Sequence, residues 1–221
     1  MDAESLFAGV PLAVVGNVCR DMKTAPLVPG AHLLRDGETP VASIVETIGG
    51  GGANSAMMAA GLGAQATFAG KVGADPLGDR LVTALECAGV RTLVRRDPTV
   101  PTGSSLALTY TDGQRHFLSY QPNNAALAFD DLDLAVLGPT GGHLLRADVW
   151  FAESMLQGGN ARLLASARAA GLATSLDLNW DPFWNVAAAD VIDARLASVR
   201  AMLPLVDLVH GNVRELNRFA G

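Results

Sequence analysis

The chain has 221 residues, 49% of them apolar and 17% charged, against roughly 25% charged in an ordinary soluble domain. That balance excludes a disordered chain, and the length, about one and a half domains at ~150 residues each, excludes a stapled mini-domain. Sixteen Lys and Arg face 22 Asp and Glu for a net charge of −6, and the densest basic patch, Arg91 to Arg96, holds three arginines, so the electrostatic footprint of a nucleic-acid binder is missing.

Short apolar runs alternate with helical patterns along the chain. Leu12-Ala13-Val14-Val15 reads as a buried strand closed by Gly16. A Pro-rich stretch (Pro26, Pro29, Pro40) holds a short strand over Val41 to Ile48, and Gly49 to Gly52 breaks that run. Ala53 to Leu62 is small, apolar and helical, Ala66 to Val72 a strand, Leu77 to Cys87 a helix and Arg91 to Val94 a strand. Ser104 to Tyr110 and Gln114 to Tyr120 flank Asp112-Gly113, a dipeptide of tight hairpin turns. The remaining units are Asp148 to Ala152 (strand), Asn160 to Ala170 (helix), Thr174 to Leu178 (strand), Val191 to Met202 (helix), Leu205 to His210 (strand) and a last helix opening over Asn212 to Phe219.

Strand–helix alternation with short connections predicts an α/β fold: a doubly wound, mostly parallel sheet covered on both faces. The Val41 to Ile48 run and the Asp112-Gly113 hairpin have period-two character instead, as in a sheet wet on one side. They predict a small β lid contributed by about 22–48 and 104–121. Cys19 and Cys87 lie far apart with no CxxC, which fits a reduced, cytoplasmic setting. Asp2 and Glu4 precede Leu6 with the wrong sign for a leader. Runs such as Leu12 to Gly16 fall far short of the ~20 residues that span a bilayer, so no membrane is implied.

The strongest local feature is Gly49-Gly50-Gly51-Gly52-Ala53-Asn54. Consecutive glycines entering a helix expose amide donors and admit a ligand against the main chain; tight packing alone is the competing reading. A Walker loop is excluded because no Gly-Lys-Ser/Thr is present, and a dinucleotide fingerprint would follow the first strand, where Gly16-Asn17-Val18-Cys19-Arg20-Asp21 stands instead. Asp21 falls just past the carboxyl end of that strand, where α/β sheets bind ligands; a carboxylate there can accept from two vicinal hydroxyls, or simply be a solvated acid near Lys23. Glu153 follows Val149-Trp150-Phe151-Ala152 in the same kind of place, with the neighbour of a helix cap as its plainer role. Asn212 and Glu215, three apart at a helix start, face one side or form a capping box.

Together these residues resemble the ribokinase-like (PfkB) carbohydrate kinases. Val14-Val15-Gly16 with Asp21, the glycine run with Asn54, and Gly70-Lys71-Val72-Gly73-Ala74-Asp75-Pro76-Leu77-Gly78 carry the likeness. It continues in order through Glu153, Asp177-Leu178-Asn179-Trp180-Asp181-Pro182 and Asn212-x-x-Glu215, covering the chain from Leu12 onward. The resemblance implies ATP-dependent phosphorylation of a sugar hydroxyl. Asp21 would grip sugar hydroxyls, Gly50, Gly51 and Gly52 would lie against the sugar, Asn54 would donate to another hydroxyl, and Glu153 would sit at the far side. Asn212 would belong to the nucleotide site and Glu215 to the Mg2+ site, through water. The lid would exclude water and pair two copies into a homodimer.

Departures sharpen the expectation. Gly51 stands where ribokinases proper carry lysine, Asp181 where ketogluconate-type members carry arginine, and Cys19 where some members carry a hydroxyl-gripping asparagine. Trp180, Phe183 and Trp184 read as core or lid packing. The family's Gly-Ala-Gly-Asp segment, with its anion hole and catalytic aspartate, is not in these 221 residues. The chain therefore reads as the N-terminal portion of a sugar kinase, truncated at the C-terminal end and inactive by itself. The alternatives are a noncatalytic sugar-binding protein of the same fold and a relative of the nucleoside kinases.

Overall fold

The computed structural model describes residues 7–139 and 141–220. Asp2, Glu4 and Leu6, which carry the argument against a leader, lie outside the described residues. Among those described, no helix is long and apolar enough to cross a membrane.

Six parallel strands form the main sheet: β1 (Pro11–Val15), β4 (Gln65–Gly73), β5 (Arg91–Asp97), β8 (His143–Arg146), β9 (Ala173–Asp177) and β10 (Leu208–His210). Their spatial order is β10-β9-β8-β1-β4-β5. The chain thus builds outward from β1 in one direction and later returns to β1 to build outward in the other. The switch point lies between β1 and β8, where open α/β sheets form their crevice.

Side-chain alternation sorts the strands onto two cores. Val14, Phe68 and Leu145 face one side, where α1 (Gly51–Gly61) and α2 (Pro76–Cys87) lay down Ala53, Ala56, Leu81, Val82 and Leu85. Ala13, Val15, Ala69 and Leu144 face the other. There α4 (Asn160–Ala169) and α5 (Ala189–Arg200) supply Leu163, Leu164, Ala167, Ile192, Leu196 and Val199. This is the doubly wound arrangement expected. Helix α2 starts on local chemistry: Asp75 caps it by accepting from Gly78 N, and Pro76 occupies the first turn.

A second, four-stranded sheet has the order β3-β2-β6-β7, from β2 (Cys19–Thr24), β3 (Ile44–Gly49), β6 (Ser104–Thr109) and β7 (Arg115–Tyr120). Strand β2 is absent from the sequence reading, because Cys-Arg-Asp-Met-Lys-Thr has no apolar alternation. It pairs antiparallel with β3 but parallel with β6, so the sheet is mixed. The short helix α3 (Pro122–Ala125) ties this sheet to the first. Asn123, fully buried, donates to the Val18 and Lys71 carbonyls and accepts from Gly103 N, while Asn124 accepts from Val18 N.

One expected strand is displaced. Asp148 to Ala152 is not a strand; β8 lies upstream, and Val149, Trp150 and Ala152 enter the core from a tight turn. Apolar content identifies burial but not backbone shape in so short a run. Strand β8 was concealed by its polar ends, His143 and Arg146. Arg146 is fully buried because its guanidinium is spent on Asn160 Oδ1 and the carbonyls of Val15 and Ala147. Burial pulls its pKa down to about 10, opposed by nearby Asp148, so it stays charged at neutral pH. The last strand also shrinks to three residues, with Leu203–Leu205 as a 3-10 turn ahead of it; α6 (Val213–Ala220) closes the described chain.

Candidate functional site

The carboxyl ends of β1 and β8 bring two acidic centres to the glycine run. Asp21 is not in a loop past β1, as the spacing suggested. It sits within β2, opposite Thr47 on β3 and Ser105 on β6. Its carboxyl group lies over Gly49, so close that a Cβ there would fall 2.2 Å from the carboxyl carbon. The Cys19 thiol reaches Asp21 Oδ1 at 3.5 Å. Burial pushes that thiol well above its usual range, and Asp21 pushes it further. Cys19 is therefore a neutral donor and no thiolate.

The glycines answer to the protein's own atoms. Gly50 has φ 96, and a Cβ on it would meet the Asn17 carbonyl oxygen at 2.3 Å. Gly51 N donates to Asp148 Oδ1 at 3.2 Å, and Gly52 N to Oδ2 at 2.8 Å. Ala53 N donates to the Asn17 carbonyl, and Asn17 N adds a third donor to Asp148, at 2.9 Å. Most of the bare amides expected from the sequence are thus filled from within. Asn54, one residue further, keeps an exposed side chain while its N–H continues the helix to Gly50 O.

Asp148 was not singled out by the sequence, where it stood inside the displaced strand. It is 4% exposed, at φ 55, and its own N–H donates to Asn179 Oδ1. Burial pushes its carboxyl up; the Asn17 and Gly52 amides and Arg146 oppose that. Asp177, at the end of β9, is likewise pushed up by burial and opposed by His210, whose Nδ1 lies 3.7 Å from Oδ1. The one available sequence signal for Asp148 was a carboxylate set against an unbroken apolar run, Val149-Trp150-Phe151-Ala152.

Glu153 opens the helical turn before α4, and its carboxylate is 61% exposed. It accepts from Arg195 Nη1 at 3.1 Å and from Gln157 Nε2 at 2.9 Å. Arg195 also grips Asp181, through Nε at 2.8 Å and Nη2 at 3.0 Å. Asp181 is fully buried and its charge is matched there, so it presents nothing to a ligand. Trp150 and Trp184 are core side chains, packed edge to face at 5.3 Å.

Asn212 and Glu215 form the reciprocal capping box of α6: Asn212 Oδ1 accepts from Glu215 N at 3.0 Å, and Glu215 Oε2 from Asn212 N at 2.8 Å. Among the described residues, no three His, Cys, Asp or Glu side chains gather to hold a metal.

A model of the pfkB family carbohydrate kinases matches residues 12–221. The chain belongs to that family. The pfkB chain is 28% identical over 210 residues to the bifunctional protein HldE of Chromohalobacter salexigens, a match covering 87% of this chain and 40% of that protein. Fructokinase from Xylella fastidiosa superposes with a TM-score of 0.76 at 24% identity, covering 95% of this chain and 64% of the other. A PfkB protein from Polaromonas sp. JS666 gives 0.72 at 22%, covering 91% and 65%. These solved structures share the fold, and the pfkB chain spans less than two thirds of their length.

Proposed function

We propose that this chain carries the sugar-binding part of an ATP-dependent carbohydrate kinase. The observation that carries the reading is the seating of Asp21 over Gly49, at the head of the α1 glycine run beside the sheet's switch point. Family membership gives the chemistry, transfer of a phosphoryl group to a hydroxyl. Asp21 accepts from sugar hydroxyls and the Asn54 carboxamide donates to another. Gly50, Gly51 and Gly52 contribute backbone shape more than free donors, and Glu153, steadied by Arg195, borders the far side. The β2-β3-β6-β7 sheet acts as the lid; shutting water out matters because water competes with the sugar for the phosphoryl group.

ATP, bound in one solved Xylella fastidiosa fructokinase, is the proposed donor here, with Asn212 beside its phosphates. Mg2+ commonly takes one or two carboxylates, with phosphate oxygens and waters completing the shell. Glu215 suits that pattern as a single water-mediated contact, its Oε1 lying outside the capping box. When bound, the ion would neutralise charge on the phosphates. Exposed Ile44, Val45, Phe117, Leu118 and Tyr120 on the outer strands β3 and β7 support a homodimer through the lid. The 221 residues contain no Gly-Ala-Gly-Asp, which supports sugar binding without turnover.

Calorimetry of the chain against a sugar panel tests this. Loss of the Asp21 carboxylate in Asp21→Ala removes a charge-assisted hydrogen bond of about 1.5–3 kcal/mol, more than tenfold in affinity, and Asn54→Ala weakens binding less. Absence of heat with every sugar, or full affinity in Asp21→Ala, refutes the reading. Coupled ATP turnover above background by the purified chain refutes the claim of inactivity.

A further inference from the structure

The first-turn amides of a helix have no acceptor inside it and attract the oxygens of phosphate or carboxylate groups. In α1 those donors are already used: Gly51 N and Gly52 N on Asp148, Ala53 N on the Asn17 carbonyl. The occupant is locked from behind. Asn179 Oδ1 fixes its peptide N–H, and the neighbouring Arg146 is anchored in the core on Asn160 and two carbonyls. There is no slack for a second anion: a single Cβ on Gly51 would approach Asp148 Oδ1 to 2.6 Å, and one on Gly52 would strike Gly16 Cα at 2.7 Å. On the open side, at Gly49, the next polar group is another carboxylate, Asp21. Of the two cations of β2, Arg20 is turned to Ser104 and Glu46 of the lid sheet, and Lys23 is exposed two residues beyond Asp21 on the strand.

We propose that Asp148 is a specificity-determining residue, whose carboxyl group fills the amide donors at the amino end of α1 and so closes the glycine turn to phosphate and carboxylate groups, leaving the cleft to uncharged polyols. This deepens the sugar-binding reading above and rests on it. Exclusion works by occupancy, so it holds whether or not Asp148 carries a proton. It assigns Gly50, Gly51 and Gly52 a purpose distinct from ligand approach: they let a distant acidic side chain and the Asn17 backbone reach the helix end.

Amide NMR of the isotopically labelled chain separates the possibilities, with inorganic phosphate, D-ribose and D-fructose as probes. In the unaltered chain phosphate leaves the Gly51 and Gly52 amides unmoved. Asp148→Ser empties the turn, both amides shift with phosphate, and affinity rises about tenfold, the scale of an anion at a helix amino terminus. Asp148→Asn keeps one acceptor oxygen for Gly52 N and Asn17 N but sets its NH2 against Gly51 N, so its Gly52 amide stays silent to phosphate; should Asp148→Ser not fold, the Gly52 amide of this variant and of the unaltered chain decides, a shift in either overturning the proposal. Phosphate moving Gly51 and Gly52 with Asp148 in place overturns the proposal. So does a folded Asp148→Ser whose amides stay silent. If neither these two sugars nor any other of the calorimetry panel moves the Asn54 side-chain amide, the sugar reading fails and takes the polyol preference with it, while the glycine amides still report whether Asp148 shuts the turn.

Discussion

Replacing Arg195 with methionine tests the network that steadies Glu153. The guanidinium makes four hydrogen bonds, two to Asp181, one to the Trp150 carbonyl and one to Glu153, and lies over the Phe183 ring. They differ in worth because they differ in solvent access. Glu153 is 61% exposed, so its arm contributes about 0–1 kcal/mol. Asp181 is fully buried and Arg195 is 9% exposed. Removing the cation strands a carboxylate whose remaining protein donor is Phe183 N, a loss of about 3–5 kcal/mol. Against a typical total stability of ~5–15 kcal/mol, Arg195→Met should shift the urea midpoint markedly, read from tryptophan fluorescence through buried Trp150 and Trp184. Asp181→Leu combined with Arg195→Met removes both charges and should recover roughly 2 kcal/mol of coupling. Glu153→Gln alone should cost under ~1 kcal/mol. A cost below about 1 kcal/mol for Arg195→Met, or simple additivity in the double variant, would refute the assignment of a buried pair.

Three further outcomes follow from local geometry. Gly52→Ala pushes a Cβ to 2.7 Å from Gly16 Cα, backbone that cannot swing aside, and should cost about 1–3 kcal/mol; Gly61→Ala, with nothing within 4 Å, should gain roughly 0.4–1 kcal/mol, both read by thermal unfolding. Asp75→Ala removes the α2 cap and the acceptor for Thr102 N, a loss of ~0.5–2 kcal/mol in urea unfolding, with Asp75→Asn recovering part. Arg168, Thr174 N and the Thr174 hydroxyl hold Asp207 down from 3.8 to about 2. Its folded-state value lies below the unfolded one, so its stabilisation is present above pH ~4 and lost as pH falls toward 2. The stability difference between the unaltered chain and Asp207→Asn should shrink across that window; a pH-independent difference would contradict the assignment.

Elements whose signals are local were legible in the residues. The Asp75-Pro76 start of α2 with Leu81, Val82 and Leu85 on one face, the Asp112-Gly113 hairpin, and the alternation of strand and helix each rest on neighbours in sequence. The capping box of Asn212 and Glu215 was readable for the same reason. Strand β2 was not, since its six residues are held by partners on β3 and β6 and not by any apolar period of their own. Strand β8 was missed because Arg146 can be buried only where Asn160 and two carbonyls converge on it, a fact no window of sequence contains.

The order of residue types along the chain determined the class of fold, the family, and the presence of a glycine turn ahead of a small-residue helix. What fills that turn was decided in three dimensions. Asn17 and Asp148 stand 131 positions apart, and they meet because the chain returns to β1 after building the sheet's other half. A side chain reaching back across the switch point consumes donors that the linear pattern leaves apparently open, since hydrogen bonds are settled by distance and direction in space.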